Sequence, residues 1–336
     1  MKELLKDLCC LNGTSGREDA VREYIISRLG GADYTVDALG NLIVEVKGKQ
    51  PAKNKVMLCA HMDEVGVMAT FIKTDGTVKC NTVGGINPAV LLGRAVKFES
   101  GAVGVIGVKP VHLCKEEEKN ALPDAAEMAI DLGADTREQA EALVRPGDTA
   151  VFTSEYTLMG DKILSKALDD RAGCAVMLDM IRTGVAYDTV FCFNVQEEVG
   201  LRGAAVSAFS VAPDYALVLE ATTAADVADA PEEKQVCVLG KGPAVSFMDN
   251  ATVYDPALFK KALALAEENN IPAQPKTMVA GGNDAGSVHK SRAGVRTLTV
   301  SVPCRYIHSA SCVCDKNDVL ATRQLAEKLN EYFAMA

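Results

Sequence analysis

Several apolar runs of this chain end in an acidic or imidazole side chain, and this pattern limits the folds that the chain can adopt. An apolar run of about four to eight residues is typical of a strand buried on both faces, as in a parallel sheet covered by helices. The carboxyl ends of parallel strands meet at one edge of the sheet. The polar residues that follow the runs are therefore predicted to lie together, and they are His61 and Asp63, Asp169 and Asp170, Glu197 and Glu198, Glu220, and His308.

Helical and strand-like patterns alternate along the larger part of the sequence, which predicts an α/β sheet with helices on both faces. Residues 1–30 predict two helices, the second of them preceded by a capping box of Ser15 and Glu18. The other predicted strands are 41–46, 56–60, 189–196, 215–220 and 295–302, and the other predicted helices are 171–182, 256–269 and 316–333.

Residues 66–163 differ from this pattern, because they are rich in glycine and in short β-type runs. An acidic stretch over 114–143 has helical character in places. We therefore expect a small β-rich domain, 66–163, inserted into a larger domain made of residues 1–65 and 164–336.

Bulk composition excludes some classes of partner. The chain has 336 residues with a net charge of −10, which argues against nucleic acid or an anionic membrane as the main partner. The N-terminus lacks the apolar segment of a signal peptide, and no stretch reaches the ~18 apolar residues of a membrane helix. The 11 cysteines do not form a disulfide framework, so we expect reduced cysteines and a cytoplasmic protein.

Two imidazoles and several carboxylates at one sheet edge indicate a metal site, with two ions expected. His61 and Asp63 are two residues apart, so an extended chain directs both to the same side, and Asp63 would hold the ring in place. Glu197 and Glu198 would repel each other unless cations were present, and one could then bind metal while the other acts as a base. The alternatives are a solvated His–Asp pair and a solvated turn.

Asp169, Asp170 and Arg171 precede a predicted helix. One carboxylate could bridge two cations, while the other is neutralised by Arg171 or caps the helix. An acidic N-cap without any metal is the alternative for this pair.

Short motifs in order along nearly the whole chain resemble one known family. They are 60–66, 84–88, 130–134, 168–173, 196–203, 281–286 and 306–309. These segments resemble the tetrahedral (TET-type) aminopeptidases, which are related to bacterial glutamyl aminopeptidases and to proteins described as endoglucanase M-like.

The resemblance implies a larger domain similar to the zinc exopeptidases of the phosphorylase/hydrolase-like type, a three-layer α/β sandwich, and a β-barrel-like insertion used for assembly. It implies two divalent cations per subunit, Zn²⁺ or Co²⁺. His61 and Glu220 would hold one ion and Glu198 and His308 the other, with Asp169 bridging them, Glu197 as general base and Asp63 as the orienting residue. The family usually carries Asp where this chain has Glu220.

The expected function is a metal-dependent aminopeptidase that acts on short peptides and forms a homo-oligomer, a dodecamer or a dimer. Glu64 is a candidate for binding the α-amine of the substrate. A carboxypeptidase or an N-acyl amino acid deacylase with the same metals is the nearest alternative, followed by an endoglucanase and a non-catalytic scaffold. The preferred N-terminal residue and the native metal stay open.

Overall fold

The computed structural model describes residues 1–119 and 121–336, in which the chain forms a large mixed sheet and a separate closed barrel. The strands are β1 (Asp33–Val36), β2 (Leu42–Val46), β3 (Val56–His61), β4 (Gly66–Ile72), β5 (Val78–Val83), β6 (Ala95–Phe98), β7 (Val103–Gly107), β8 (Ala129–Asp131), β9 (Thr149–Phe152), β10 (Thr157–Met159), β11 (Lys162–Ser165), β12 (Thr189–Asn194), β13 (Tyr215–Thr223), β14 (Ala244–Val245), β15 (Gln274–Pro275), β16 (Arg296–Arg305) and β17 (Cys312–Asp315). The helices are α1 (Lys2–Cys10), α2 (Asp19–Arg28), α3 (Glu116–Lys119), α4 (Arg137–Glu141), α5 (Leu168–Thr183), α6 (Arg202–Val211), α7 (Pro256–Glu268), α8 (Ala285–Val288) and α9 (Lys316–Met335). Across these described ranges, every helix is too short or too polar to traverse a lipid bilayer.

Parallel strands form the centre of the large sheet, in the order β12–β3–β13–β16. Strands β3 and β12 are buried along their whole length, as their continuous apolar runs predict. Their register pairs Asn194 with His61. Val218 pairs with Cys59, so Glu220 lies level with His61. The carboxyl ends of these strands therefore share one edge of the sheet.

Helices cover both faces of this sheet. Gly173 of α5 lies so close to β3 that a Cβ atom on it would be 3.0 Å from the Cβ of Ala60. On β12, Asn194 accepts a hydrogen bond from Ser207 of α6. Ala60 pairs with Phe193, and neighbouring residues of a strand face opposite sides, so α5 and α6 lie on different faces. The predicted three-layer α/β sandwich is confirmed.

The inserted unit is a closed barrel with the strand order β4–β5–β8–β7–β6–β9. Its own hydrophobic core includes the fully buried Phe98, Ile106 and Ile130. The predicted barrel-like insertion is therefore confirmed, and its first strand begins at Gly66, where the insertion was expected to start.

At its C-terminal end, the barrel stops earlier than the expected boundary at 163. The last barrel strand, β9, ends at Phe152, whereas β10 and β11 pair within the large sheet. The acidic stretch 114–143 contains the short helices α3 and α4 and the strand β8, and its residue 120 lies outside the described residues.

The predicted capping box of α2 is wrong. Helix α2 begins at Asp19, and Glu18 at its N-cap makes no capping hydrogen bond with its side chain. Glu18 instead accepts hydrogen bonds from the backbone N–H groups of Gly16 (2.8 Å) and Gln196 (3.1 Å). Ser15 donates to Asp63 at 2.6 Å. Both side chains thus bind the loops at the sheet edge rather than the helix end.

Candidate metal centre and active site

His61 ends β3 and is 1% exposed. Its Nδ1 lies 3.1 Å from the backbone carbonyl oxygen of Asp63 and 3.4 Å from Oδ1 of the same residue. Its Nε2 lies 3.2 Å from Oε1 of Glu220 and 3.3 Å from Oδ1 of Asp169. A ring that donates from Nδ1 to oxygen offers the lone pair of Nε2 to a cation.

His308 approaches the same place from the loop after β16. Its backbone has a φ of 60°, in the left-handed region. Its Nδ1 lies 2.8 Å from the carbonyl oxygen of Gly85, which belongs to the barrel. Its Nε2 lies 3.3 Å from Oδ2 of Asp169 and 3.3 Å from Oε2 of Glu198. His308 thus has the same arrangement as His61, with one nitrogen held by a carbonyl and the other facing carboxylates.

Asp169 lies between the two imidazoles and directs one oxygen at each. Its Oδ1 is buried and accepts no hydrogen bond from the described residues. Burial opposes ionisation, but His308 and His61 hold the pKa of Asp169 below its ordinary value. A buried carboxylate oxygen without a donor is costly. This oxygen fits a cation between Asp169 and the imidazoles.

Asp63 positions the loop that carries Glu197 and Glu198. Its Oδ1 accepts from the backbone N–H of Glu197 (3.0 Å), and its Oδ2 accepts from that of Glu198 (3.1 Å) and from Ser15. The carboxylate of Glu197 comes within 4.0 Å of Nε2 of His61. One buried side chain therefore holds both the His61 ring and the two glutamates.

The electrostatics of the cluster favour bound cations. Burial and the Asp169 carboxylate raise the pKa of Glu198 to about 8. Burial also raises the pKa of Glu220 to about 8 and lifts the pKa of Glu197 well above its ordinary value. These carboxylates are costly to ionise together without cations nearby. A donor set of imidazoles and carboxylates is one that divalent metals prefer.

Two groups of side chains could each hold an ion, with ligand atoms within 4.8 Å of one another. One is His61, Asp170 and Glu220, and the other is His61, Asp169 and Glu198. Both oxygens of Asp170 already accept backbone N–H groups, from Gly173 (2.9 Å) and His61 (3.3 Å). Asp169, with its unbonded oxygen, is therefore the better ligand of the acidic pair.

The structure corrects two expectations about neighbouring residues. Arg171 does not neutralise Asp170, since its side chain is fully buried and contacts Glu64 at 3.3 Å and the carbonyl of Met62 at 2.8 Å. Glu64 is 3% exposed and also accepts from Lys166 at 2.6 and 2.9 Å. Glu64 is therefore committed to a buried ion-pair cluster and is not placed to bind a substrate amine.

A cavity of about 400 Å³ opens beside the carboxylates. Glu197, Glu220 and His308 line it, and so does Lys276, which the sequence reasoning missed. A single lysine after a two-residue strand carries no pattern that could have identified it. Asp284 belongs to the motif 281–286, but the sequence predicted no role for it. It is buried and accepts a hydrogen bond from the side chain of Asn194, at the end of β12, at 2.7 Å.

Comparisons with known proteins agree with this geometry. The family model described as M42 glutamyl aminopeptidase matches residues 40–325. The chain is 34% identical to the lysyl aminopeptidase of Pyrococcus furiosus, over 98% of this chain and 96% of that one. An aminopeptidase structure from the archaeon Desulfurococcus kamchatkensis superposes with a TM-score of 0.91 at 34% identity, covering 97% of this chain and 92% of that chain.

A further similar structure is the TET1 peptidase of Pyrococcus horikoshii, which can assemble into a tetrahedron or a large octahedral shell. It matches with a TM-score of 0.85 at 35% identity, covering 98% of both chains. The similarity extends over the large sheet and the barrel alike, so the predicted resemblance is confirmed.

Proposed function

We propose a mechanism for this chain, which belongs to the M42 glutamyl aminopeptidase family and is a metal-dependent aminopeptidase. The observation that carries the mechanism is the position of Asp169 between two imidazoles. Its Oδ1 lies 3.3 Å from Nε2 of His61, and its Oδ2 lies 3.3 Å from Nε2 of His308. The proposal concerns the number of ions, the residues that hold them and the group that moves the proton.

Two divalent cations would be held at this edge of the sheet, by His61 and Glu220 on one side and by Glu198 and His308 on the other, with Asp169 shared. The longer side chain of Glu220 supports this assignment, because its Oε1 comes within 3.2 Å of Nε2 of His61. Nitrogen and carboxylate ligands suit Zn²⁺ or Co²⁺. Bound cations of this kind polarise a peptide carbonyl and make a water molecule acidic near neutral pH.

Glu197 is the proposed general base. It lines the cavity, and its carboxylate is close to His61 while Asp63 fixes its backbone. It accepts a proton from the attacking water and passes that proton to the leaving amine.

The test is Glu197→Gln, which preserves shape and removes the base. We expect metal content, measured by mass spectrometry, to stay at the parent level, while turnover of an aminoacyl p-nitroanilide falls by about 10²–10⁴-fold. Glu233→Gln, at an exposed site, is the matched control and should behave like the parent. Full activity of Glu197→Gln would remove the base assignment, and loss of metal would move Glu197 among the ligands.

We further propose that the barrel serves assembly into a homo-oligomer, a dodecamer or a dimer. Supporting this role, the barrel unit exposes large apolar side chains, among them Phe71 (53%), Val103 (53%), Val111 (68%) and Leu113 (60%). The likeness to a peptidase that forms closed shells points the same way. The assembly unit would then be 66–152, and the catalytic unit would be the rest of the chain.

Short peptides are the proposed substrates, and the cytoplasm is the proposed compartment. All eleven cysteines are free, and ten of them are at least partly buried, as expected where thiols stay reduced.

A further inference from the structure

Three cysteines lie on one face of the antiparallel pair β16 and β17. Cys304 is directly opposite Cys314 in the register of the two strands, and Cys312 is two residues from Cys314. Opposite residues and alternate residues of such strands face the same side. All three side chains pack in the large hydrophobic core, whereas the intervening Val313 packs in a separate cluster. The fold therefore places three thiols side by side.

Two of these thiols contact each other. The thiols of Cys304 and Cys312 form a hydrogen bond, and the two residues are 0% and 2% exposed. Each sulfur also lies within hydrogen-bond distance of a backbone carbonyl oxygen, that of Arg305 for Cys304 (3.6 Å) and that of Ser309 for Cys312 (3.4 Å). A disulfide forms only where the backbone already brings two sulfurs together. Cys304 and Cys312 meet this condition.

This pair encloses the loop that carries His308. Cys304 is the last residue but one of β16, and Cys312 is the first residue of β17. The carbonyl groups beside the two sulfurs belong to Arg305, which enters the loop, and to Ser309, which directly follows His308. The two thiols therefore support the backbone on both sides of His308.

One of the two thiols borders the candidate metal centre. Cys312 lines a small cavity of about 10 Å³ together with Asp169, Glu198 and His308, and Cys304 does not line it. This volume is about what a single water molecule needs. A reagent little larger than water, such as hydrogen peroxide, therefore meets the sulfur of Cys312 first, whereas a bulky oxidant such as oxidised glutathione is excluded.

We propose that Cys304 and Cys312 are a modification site, at which hydrogen peroxide forms a disulfide that weakens metal binding by His308. The sulfur of Cys312 attacks one oxygen of the peroxide, the O–O bond breaks, and a water molecule leaves with the thiol proton, so that a sulfenic acid forms. The sulfur of Cys304 then attacks that of Cys312, the S–O bond breaks, and a second water leaves with the second thiol proton. The two thiols lose two electrons, and one peroxide is reduced to two water molecules.

The disulfide has no S–H group, so the carbonyl groups of Arg305 and Ser309 each lose a donor when it forms. Loss of contacts behind a metal ligand lowers metal affinity by about 10–100-fold. We therefore expect the ion held by His308 and Glu198 to bind at least about tenfold more weakly in the oxidised protein. Reduction of the disulfide by a dithiol reverses the change. This inference rests on the proposed role of His308 as a metal ligand.

The first test detects the bond itself. Zinc-loaded protein is treated with hydrogen peroxide or with oxidised glutathione, free thiols are blocked, and the digested chain is analysed by mass spectrometry. We expect peptides linked through Cys304 and Cys312 after peroxide, and no such link after oxidised glutathione. A missing link after peroxide, or a link from Cys304 to Cys314 instead, would refute the proposal. A link formed equally well by oxidised glutathione would contradict the route through the cavity.

The same digest contains a control pair. Cys59 and Cys192 are partners in the register of β3 and β12, and both are fully buried. Neither of them lines the small cavity beside His308. We expect both to stay as thiols under peroxide, and a link between them would show that the reagent does not select the cavity site.

The second test measures metal binding. Zinc affinity is determined by competition with a chromophoric chelator before and after peroxide, since Zn²⁺ has no redox chemistry of its own. His308→Ala identifies the site that depends on His308. We expect the affinity of that site in the parent to fall at least about tenfold after peroxide and to recover with dithiothreitol. An unchanged affinity in protein shown to carry the disulfide would overturn the effect on His308.

Two cysteine variants assign the effect. Cys312→Ala has no thiol to start the reaction, so peroxide should leave its zinc affinity unchanged. Cys314→Ala is the matched control, altered two residues away on the same face, and it should respond to peroxide like the parent. An equal loss of affinity in Cys312→Ala would mean that peroxide acts elsewhere, and it would refute the proposal.

The two readouts also separate this inference from the proposed function. If His308→Ala bound as much zinc as the parent, the metal assignment would fail, while the peptide analysis would still decide whether the disulfide forms. If the disulfide did not form, the inference would fail, and the cleavage of an aminoacyl p-nitroanilide by the reduced enzyme would stand.

Discussion

Glu64 is the anion that faces two buried cations, and removing its charge should destabilise the fold more than removing the charge of Lys166. The side chains of Lys166, Arg171 and Glu64 are only 5%, 0% and 3% exposed. Glu64 lies 2.6 Å from Nζ of Lys166 and 3.3 Å from Nη2 of Arg171, and it also accepts from the N–H of Gly13 at 3.2 Å.

The expected magnitudes follow from the charge left behind. Glu64→Gln leaves two buried cations side by side without a counter-charge, which costs about 3–5 kcal/mol. Lys166→Met leaves Glu64 paired with Arg171. It also removes the hydrogen bonds from Lys166 to the carboxylate of Glu64 (2.6 and 2.9 Å) and to the carbonyl of Leu11 (2.7 Å), at a cost of about 1.5–3 kcal/mol. Glu64→Gln should therefore be the more destabilising variant, by about 2 kcal/mol.

Urea unfolding followed by circular dichroism at the helical band measures this difference, because the chain has no tryptophan. The long helices belong to the large sheet, so the signal reports the unit that contains Glu64. Protein concentration and chelator are held constant, so that assembly and metal binding do not shift the midpoints. Glu267→Gln, at an exposed site, is the control and should lie within about 0.5 kcal/mol of the parent. If Lys166→Met were as destabilising as Glu64→Gln, the counter-charge reasoning would be refuted.

Two further predictions concern packing and assembly. Gly203→Ala places a Cβ 2.3 Å from Oδ1 of Asn41 and 2.3 Å from the carbonyl oxygen of Val195. We therefore expect the free energy of unfolding, measured by heat or urea, to fall by about 2 kcal/mol or more. Gly107→Ala is the control and should cost less than half of that, because the atom nearest to its Cβ is 3.8 Å away. Val111→Lys puts a charge on the most exposed of the apolar side chains named for the barrel unit. We expect the molar mass, measured by light scattering, to fall towards the 35.6 kDa of one chain. An unchanged mass would show that this residue lies outside the interface.

Much of the large sheet could be predicted because its central strands are buried on both faces. Their apolar runs are continuous, and the polar residues near the ends of most of these runs mark the sheet edge. The predicted cluster therefore lies together in space, including His61 and Asp169 at 3.3 Å despite the distance between them in sequence. The prediction of β13 was less accurate at its end, because Glu220 lies inside a strand that continues to Thr223. The strand stays buried beyond Glu220, so the acidic residue did not mark its end.

Other features depend on contacts that no local pattern contains. Ser15 and Glu18 have the spacing of a capping box, but their hydrogen bonds go to Asp63 and Gln196, far away in the sequence. Glu64 follows Asp63 directly, and strand-like alternation directs its side chain away from the side of Asp63 and into the interior, towards Arg171. Lys276 follows a strand of only two residues, which is too short to show a periodic pattern in the sequence.

The barrel unit contributes a backbone contact to the site, because one of its loops holds the ring of His308. His308 lies in the loop after β16 in a left-handed conformation. Its ring is fixed by a hydrogen bond to the carbonyl oxygen of Gly85, in the loop between β5 and β6. That loop can approach so closely because it carries two glycines. Gly84 has a φ of 84°, and a Cβ on it would lie 2.8 Å from Val65. An imidazole that binds metal needs its second nitrogen held by an acceptor. The inserted unit supplies that acceptor, so a change in its position relative to the large sheet would change the position of the His308 ring.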